Sequence, residues 1–227
     1  GDDQAKKCAF GEPGLRLDAK NIGSVASKDI FMDVGGSVQA MDFSPWLAFK
    51  EKPGTACTVL ALSCHPRSRP IHEIQRFASR KSHGVIQLWR VITTDSTNMI
   101  SQLHRVIPHN GGTCWHLQWI PKTRTETRMG LLLAVLGTGE LRIYSIDLAE
   151  FRGKVATDPA EKLLAIKPSW QMPASPGRVF CCARAKASMA TESAAIIAGT
   201  TTGKVYVWNV SSDEMKSQQA TEYTAPR

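Results

Sequence analysis

Long apolar runs are missing from this 227-residue chain. The longest, Gly130–Gly139, falls far short of the roughly 20 residues that a helix needs to cross a bilayer, which excludes a transmembrane helix. No charged-then-apolar secretory signal opens it either. It begins on Gly1 rather than Met, so its ends are not taken as natural. Cysteine is scarce: six residues, two of them the adjacent Cys181 and Cys182, are too few for a disulfide scaffold and suit a reduced intracellular protein. Around Cys64–His65 and Cys114/His116 there is no Cys-x2-Cys or His-x3–5-His pairing to grip a metal tetrahedrally, so no metal site is expected. These side chains read instead as small buried thiols and hydrogen-bonded histidines.

Catalytic signatures are missing too. There is no G-x-S-x-G elbow, H-E-x-x-H pair or G-x4-G-K-[ST] phosphate loop. Ser63-Cys64-His65 places a nucleophile beside a base, but neighbours on an extended strand point to opposite faces and cannot meet. Gly35-Gly36 and Gly111-Gly112 recur at matching points before two similar strands, which reads as a structural turn rather than a phosphate cradle. No enzyme, cofactor, small-molecule substrate or membrane attachment is expected. Composition is ordinary for a globular protein, with 42% hydrophobic and 21% charged residues, and the length suffices for a sizeable core.

What the chain does contain is a repeat. Gly84-Val-Ile-Gln-Leu-Trp-Arg-Val91, Gly139-Glu-Leu-Arg-Ile-Tyr-Ser-Ile146 and Gly203-Lys-Val-Tyr-Val-Trp-Asn-Val210 each set apolar residues at alternate positions after a glycine and carry an aromatic. That is strand patterning entered through a tight turn. Before each lies a more apolar strand: Thr58–Ser63, Gly130–Leu136 and Ala194–Gly199. In the second and third cases only Gly137–Gly139 or Gly199–Gly203 separates the pair, a hairpin with glycine supplying positive φ. One step upstream stand Val38–Phe43, Cys114–Trp119 and Arg178–Ala183, the first two closed by Pro45 and Pro121. Upstream again are apolar stretches at Asp29–Val34, Gln102–Ile107 and Leu163–Ile166.

The pattern predicts an all-β chain of about three four-stranded antiparallel blades, a WD40-like β-propeller segment forming an incomplete ring. A four-stranded sheet cannot cover both faces alone, whereas blade on blade can. Residues 1–27 are expected as an N-terminal extension, 28–210 as the propeller segment (units about 28–91, 102–146 and 163–210) and 211–227 as a flexible polar tail. The chain is expected to begin with the outermost strand of one blade and to end with the third strand of another. Insertions such as Cys64–His83 and Asp147–Glu161 lengthen loops on a rigid frame.

The succession Val34–Pro45, Gly84–Trp89, Gly111–Pro121, Gly130–Val135 and Gly139–Tyr144 resembles the propeller of the WD-repeat second subunit of general transcription factor IIIC, over roughly Phe31–Val210. The resemblance implies a nuclear, non-enzymatic scaffold subunit supporting RNA polymerase III transcription of transfer RNA and related genes. It also implies a second propeller subunit as partner and non-specific contact with DNA. Gln39 stands where that family tends to have Trp, and Trp89-Arg90, Tyr144-Ser145 and Trp208-Asn209 replace the usual Trp-Asp. A WD-repeat adaptor of a ubiquitin ligase or chromatin-modifying complex is the alternative, and a propeller hydrolase is disfavoured for want of polar residues at strand mouths.

Positive charge marks the candidate contact residues. The chain carries 28 Lys and Arg against 20 Asp and Glu, net +8, which leans towards a polyanionic partner. Arg67, Arg69, Arg76, Arg80 and Lys81 are set against Glu73 in one insertion; Lys122, Arg124 and Arg128 against Glu126 in another loop. These are the candidate contacts to DNA backbone or an acidic partner. Because the two connections leave a blade at opposite ends, they are not expected to form one continuous patch. Trp46 and Trp170, in connecting segments near prolines, are candidate partner anchors. Trp89, Trp115, Trp119 and Trp208 are expected in the core.

Overall fold

The computed structural model describes residues 34, 36–45, 55–66, 83–94, 98–120, 128–151, 162, 166–172, 179–186, 194–210 and 221–224. They form three antiparallel four-stranded sheets, each a simple up-and-down succession. Sheet 1 holds β1 (Gly36–Phe43), β2 (Thr55–Pro66), β3 (Gly84–Thr94) and β4 (Asn98–His109). Sheet 2 holds β5 (Cys114–Ile120), β6 (Arg128–Leu136), β7 (Leu141–Asp147) and the short β8 (Trp170–Met172). Sheet 3 holds β9 (Val179–Lys186), β10 (Ala194–Thr200), β11 (Lys204–Val210) and β12 (Thr221–Thr224). The all-β expectation holds, and the arrangement is compatible with blade-like propeller segments.

The hairpin glycines behave as their sequence context predicts. Gly139 and Gly203 have φ of 80° and 78°, and their amides donate to Leu136 and Thr200 to close equivalent four-residue turns. Gly84 is needed for another reason. A Cβ there would collide with the Gly112 carbonyl oxygen and the His109 ring. Gly84→Ala is therefore expected to cost about 2–3 kcal/mol, read as a lower urea midpoint with unchanged slope.

Each sheet shows the same irregularity at the same place. The first strand carries one extra residue against its neighbour: Gln39 in β1, Trp115 in β5 and Phe180 in β9. A bulge sharpens the local twist and re-aims the side chains on either side of it. Matching bulges align Val38 with Cys114 and Val179, Met41 with Leu117 and Cys182, and Phe43 with Trp119 and Arg184.

The sheets pack face to face through two apolar joints. Between sheets 1 and 2, Val59, Ala61, Ile86, Leu88 and Ile107 meet Cys114, Leu117, Trp119, Leu132, Leu136 and Tyr144. Between sheets 2 and 3, Leu131, Leu133, Val135, Leu141 and Ile143 meet Val179, Ile196, Ala198, Tyr206 and Trp208. Consecutive residues of β6 thus enter opposite joints, which is why this strand reads as an unbroken apolar run rather than an alternation. The first strands adjoin in series, β1 against β5 and β5 against β9. No comparable contact links β4, β8 and β12 among the described residues, so the sheets splay away from the line of first strands.

Three expectations are corrected. The apolar stretch 163–166 does not supply the fourth strand of sheet 2: Leu163–Ala165 lie outside the described residues, and Ile166 packs against the first joint instead. Pro168, without an N–H, precedes the strand, and Ser169 N–H donates to Ile143 O at 2.8 Å to start the pairing that β8 continues. The segment 211–227, expected to be a flexible tail, contains β12, and the chain does not end on a third strand. Lys204–Val207 pair with Thr221–Thr224, because the outer edge of β11 offers unpaired backbone groups and Thr-Glu-Tyr-Thr suits a strand. The insertion after β7 is more than a loop. Its single 3-10 turn, Leu148–Phe151, drives the Phe151 ring into the first joint, 4.9 Å from the His104 ring. The outermost strand expected at Asp29–Val34 lies outside the described residues except for Val34, which is not in a strand and whose carbonyl accepts from Gln87 Nε2 at 3.0 Å.

Candidate interaction surface

The sites where a sequence repeat exposes what it elsewhere buries are candidates for contact with something else. On β5, Cys114, Leu117 and Trp119 face the preceding sheet and are 0%, 4% and 3% exposed. Their counterparts on β1 are Val38, Met41 and Phe43, exposed by 47%, 65% and 53%. The bulged register is the same and the side chains are likewise apolar, but no described sheet precedes β1. This row is the largest exposed apolar feature among the described residues; Met99 and Ile100 on β4 add a smaller one.

The first joint shows what chemistry such a row accepts. Asp42 on β1 takes the Trp119 backbone N–H on Oδ2 at 2.7 Å, and its carbonyl takes the Trp119 indole N–H at 3.2 Å. Ser44, just beyond β1, ties the strand end to β2 through its amide to Val59 O and its hydroxyl to Val59 N–H and Thr58. At the other end of the joint the β6–β7 turn locks onto the β4–β5 connection. Gly137 N–H donates to Thr113 O at 2.6 Å and Thr138 N–H to Gly111 O at 3.1 Å. Arg142 holds Glu140 at 2.6 Å and donates to Asn110 Oδ1 at 2.6 Å. The same turn reaches the next sheet through Val179 N–H to Gly139 O.

His109 sits inside this lock. Its Nδ1 accepts from Gly111 N–H at 3.3 Å, while Nε2 is buried without a hydrogen-bond partner among the described residues. Burial, with the Arg142 and His83 charges adding to it, holds its pKa down to about 4. The buried thiols move the other way: burial pushes Cys57 and Cys64 up to about 11 and Cys114 up to about 12, so all three stay protonated at neutral pH. Ser63 and Cys64 belong to opposite faces of β2: Ser63 hydrogen-bonds Cys114 in the first joint, whereas Cys64 lies in the cluster on the other side of sheet 1. Among the described residues no three His, Cys, Asp or Glu side chains group to hold a metal ion.

Of the predicted contact residues, Arg67, Arg69, Arg76, Arg80, Lys81, Lys122, Arg124 and Trp46 lie outside the described residues. Arg128 opens β6 opposite Asp147. Trp170 is half-buried on β8, edge-on to the Trp208 ring at 5.7 Å, which in turn stacks near Tyr206. Its indole thus packs on the second joint and stays partly exposed. Of the tryptophans expected in the core, Trp89, Trp119 and Trp208 are buried and Trp115, on its bulge, is half-buried. The sequence reading overlooked Val38, Met41 and Phe43, although aligning VQAMDF with CWHLQW was enough to pair them with buried residues. It also gave no role to Asp42, whose contact spans 77 positions of chain.

Fold and surface together define an all-β protein of stacked antiparallel four-stranded sheets with an apolar row open at one end. No protein-family profile matches the chain, and no curated protein sequence matches it significantly.

Proposed function

We propose that the chain is a segment of a WD40-like β-propeller and serves as a non-enzymatic scaffold, within a nuclear, transcription factor IIIC-like assembly. The observation that carries the scaffold reading is the threefold recurrence of a four-stranded sheet with a bulged first strand, those first strands adjoining in series while the outer strands splay. Radial sheets around a line of first strands are how propeller blades cover their faces. The assignment to the polymerase III factor rests on the order of Val34–Pro45, Gly84–Trp89, Gly111–Pro121 and Gly130–Tyr144. Partners under this reading are other protein subunits, a second propeller among them, with DNA backbone held through the basic loops.

Affinity capture of the full chain from nuclear extract tests the assignment. Recovery of a second propeller subunit together with polymerase III promoters supports it, whereas recovery of cullin-type or chromatin-enzyme partners favours the adaptor reading. The basic loops have their own test. Binding to duplex DNA is expected to weaken linearly in log–log salt titration, by up to about 0.9 in slope for each phosphate neutralised. Replacing Arg67, Arg69, Arg76 and Lys81 with Gln is expected to flatten that slope, and an unchanged slope removes these residues from the interface.

A further inference from the structure

We propose that Asn110 and Gly111 form a self-modification site, at which the Gly111 amide nitrogen displaces ammonia from the Asn110 side chain with Arg142 and His109 assisting. The connection between β4 and β5 thereby ages into an aspartyl or isoaspartyl linkage.

The sequence supplies the reacting pair. Of the chain's four asparagines only Asn110 precedes a glycine; Asn21, Asn98 and Asn209 precede Ile22, Met99 and Val210, whose side chains crowd an approaching amide nitrogen. The fold requires that glycine. A Cβ on Gly111 would lie 2.3 Å from Leu136 Cδ1, so the joint between sheets 1 and 2 leaves no room for a side chain that would shield the peptide. Asn110 itself is exposed, within reach of the water that the reaction consumes.

The tertiary structure supplies the assistance. Arg142, 32 positions further along and only 7% exposed, donates from a guanidinium nitrogen to Asn110 Oδ1 at 2.6 Å. A fixed cation on that oxygen draws electrons from Cγ and stabilises the negative charge that develops on Oδ1 as the ring closes. Glu140, 2.6 Å from the same nitrogen, holds the guanidinium in place. The Gly111 N–H donates to His109 Nδ1 at 3.3 Å. Burial keeps that imidazole neutral at pH 7, so Nδ1 can take the proton that the amide must lose.

Water is the only co-reactant. Gly111 N bonds to Asn110 Cγ, the Cγ–Nδ2 bond breaks, and Nδ2 leaves as ammonia with the proton that the amide gave up. Water then opens the cyclic imide. Cleavage of its Cγ–N bond leaves aspartate, whereas cleavage at the main-chain carbonyl of residue 110 leaves isoaspartate, with an extra methylene in the backbone. Either product alters the lock. Aspartate sets a second carboxylate against the Arg142 nitrogen that Glu140 already holds. Isoaspartate lengthens the connection whose Gly111 and Thr113 carbonyls accept from Thr138 and Gly137.

Peptide mass spectrometry of the folded full chain held at neutral pH, beside the same chain in urea, reads conversion at residue 110. Methylation by an isoaspartyl methyltransferase marks the isomer. Faster conversion is expected in the folded chain, because the unfolded one keeps Asn110, Gly111 and His109 but loses Arg142. In the folded state, verified by strand circular dichroism, Arg142→Gln is expected to slow conversion about tenfold or more, and Arg142→Lys by less. Conversion no faster folded than in urea, or as fast in folded Arg142→Gln as in the parent, overturns the inference. The folded-against-unfolded comparison needs no variant, so it decides the matter even where Arg142→Gln fails to fold.

Discussion

Trp119→Ala is expected to destabilise the protein by about 3–5 kcal/mol, while Phe43→Ala, at the repeat-equivalent position, changes the stability of the monomer by less than about 1 kcal/mol. The contrast comes from surroundings, since both residues are aromatic and occupy matching positions on a bulged first strand. Trp119 is buried in the first joint against Val59, Ala61, Ile86 and Leu88. Its removal leaves a cavity between sheets that are held apart by the rest of the packing. It also strands the Asp42 carbonyl, which loses its indole donor. Phe43 is 53% exposed, so truncation gives back little buried area. Equilibrium urea denaturation of both variants, at concentrations low enough to exclude association, checks the pair. Comparable losses would show that β1 is covered in solution as β5 is.

The second large effect is on pH. His109 ionises near 6.5 in an unfolded chain and at about 4 in the folded one. Below 6.5 the unfolded state takes up a proton that the folded state refuses, so stability is full above that pH and falls as the pH drops towards 4. Beneath 4 both states are protonated and the loss stops growing. Over that window the loss is about 3 kcal/mol. The refusal has a local origin: desolvation in the lock between sheets 1 and 2, reinforced by Arg142 and His83. His109→Asn keeps an acceptor for the Gly111 amide but cannot be charged. Its urea midpoint is therefore expected to decline less between pH 7 and pH 4 than that of the parent, and equal declines would place the acid sensitivity elsewhere.

Much of the architecture was legible because strand physics is local. Alternation in Gly84–Val91 and its two counterparts marked the third strands, and Gly139 and Gly203 marked the turns. The unbroken run Gly130–Leu136 marked the strand with apolar surroundings on both sides. The fourth strands were less legible. β8 and β12 are three and four residues long, and β12 is polar; edge strands this short form because a neighbour offers unpaired backbone groups, not because their own pattern demands it. Phe151 illustrates the same limit, since the apolar residues scattered through its insertion keep no strand period.

The interaction surface divides likewise. The excess of Lys and Arg and the likeness between VQAMDF and CWHLQW can be read directly from the residues. That one of these strands is buried and the other open cannot be, because exposure depends on which sheet lies across the gap. The sequence by itself determined that the chain is all-β, where its repeats fall and where its hairpins turn. Those features follow from side-chain alternation and backbone freedom within a few residues. Only the tertiary structure decided that Asp42 and Trp119 meet, that His109 is sealed in a joint and that Val38, Met41 and Phe43 face outward. Each of these depends on contacts between sheets far apart in the chain, whose energies no local pattern encodes.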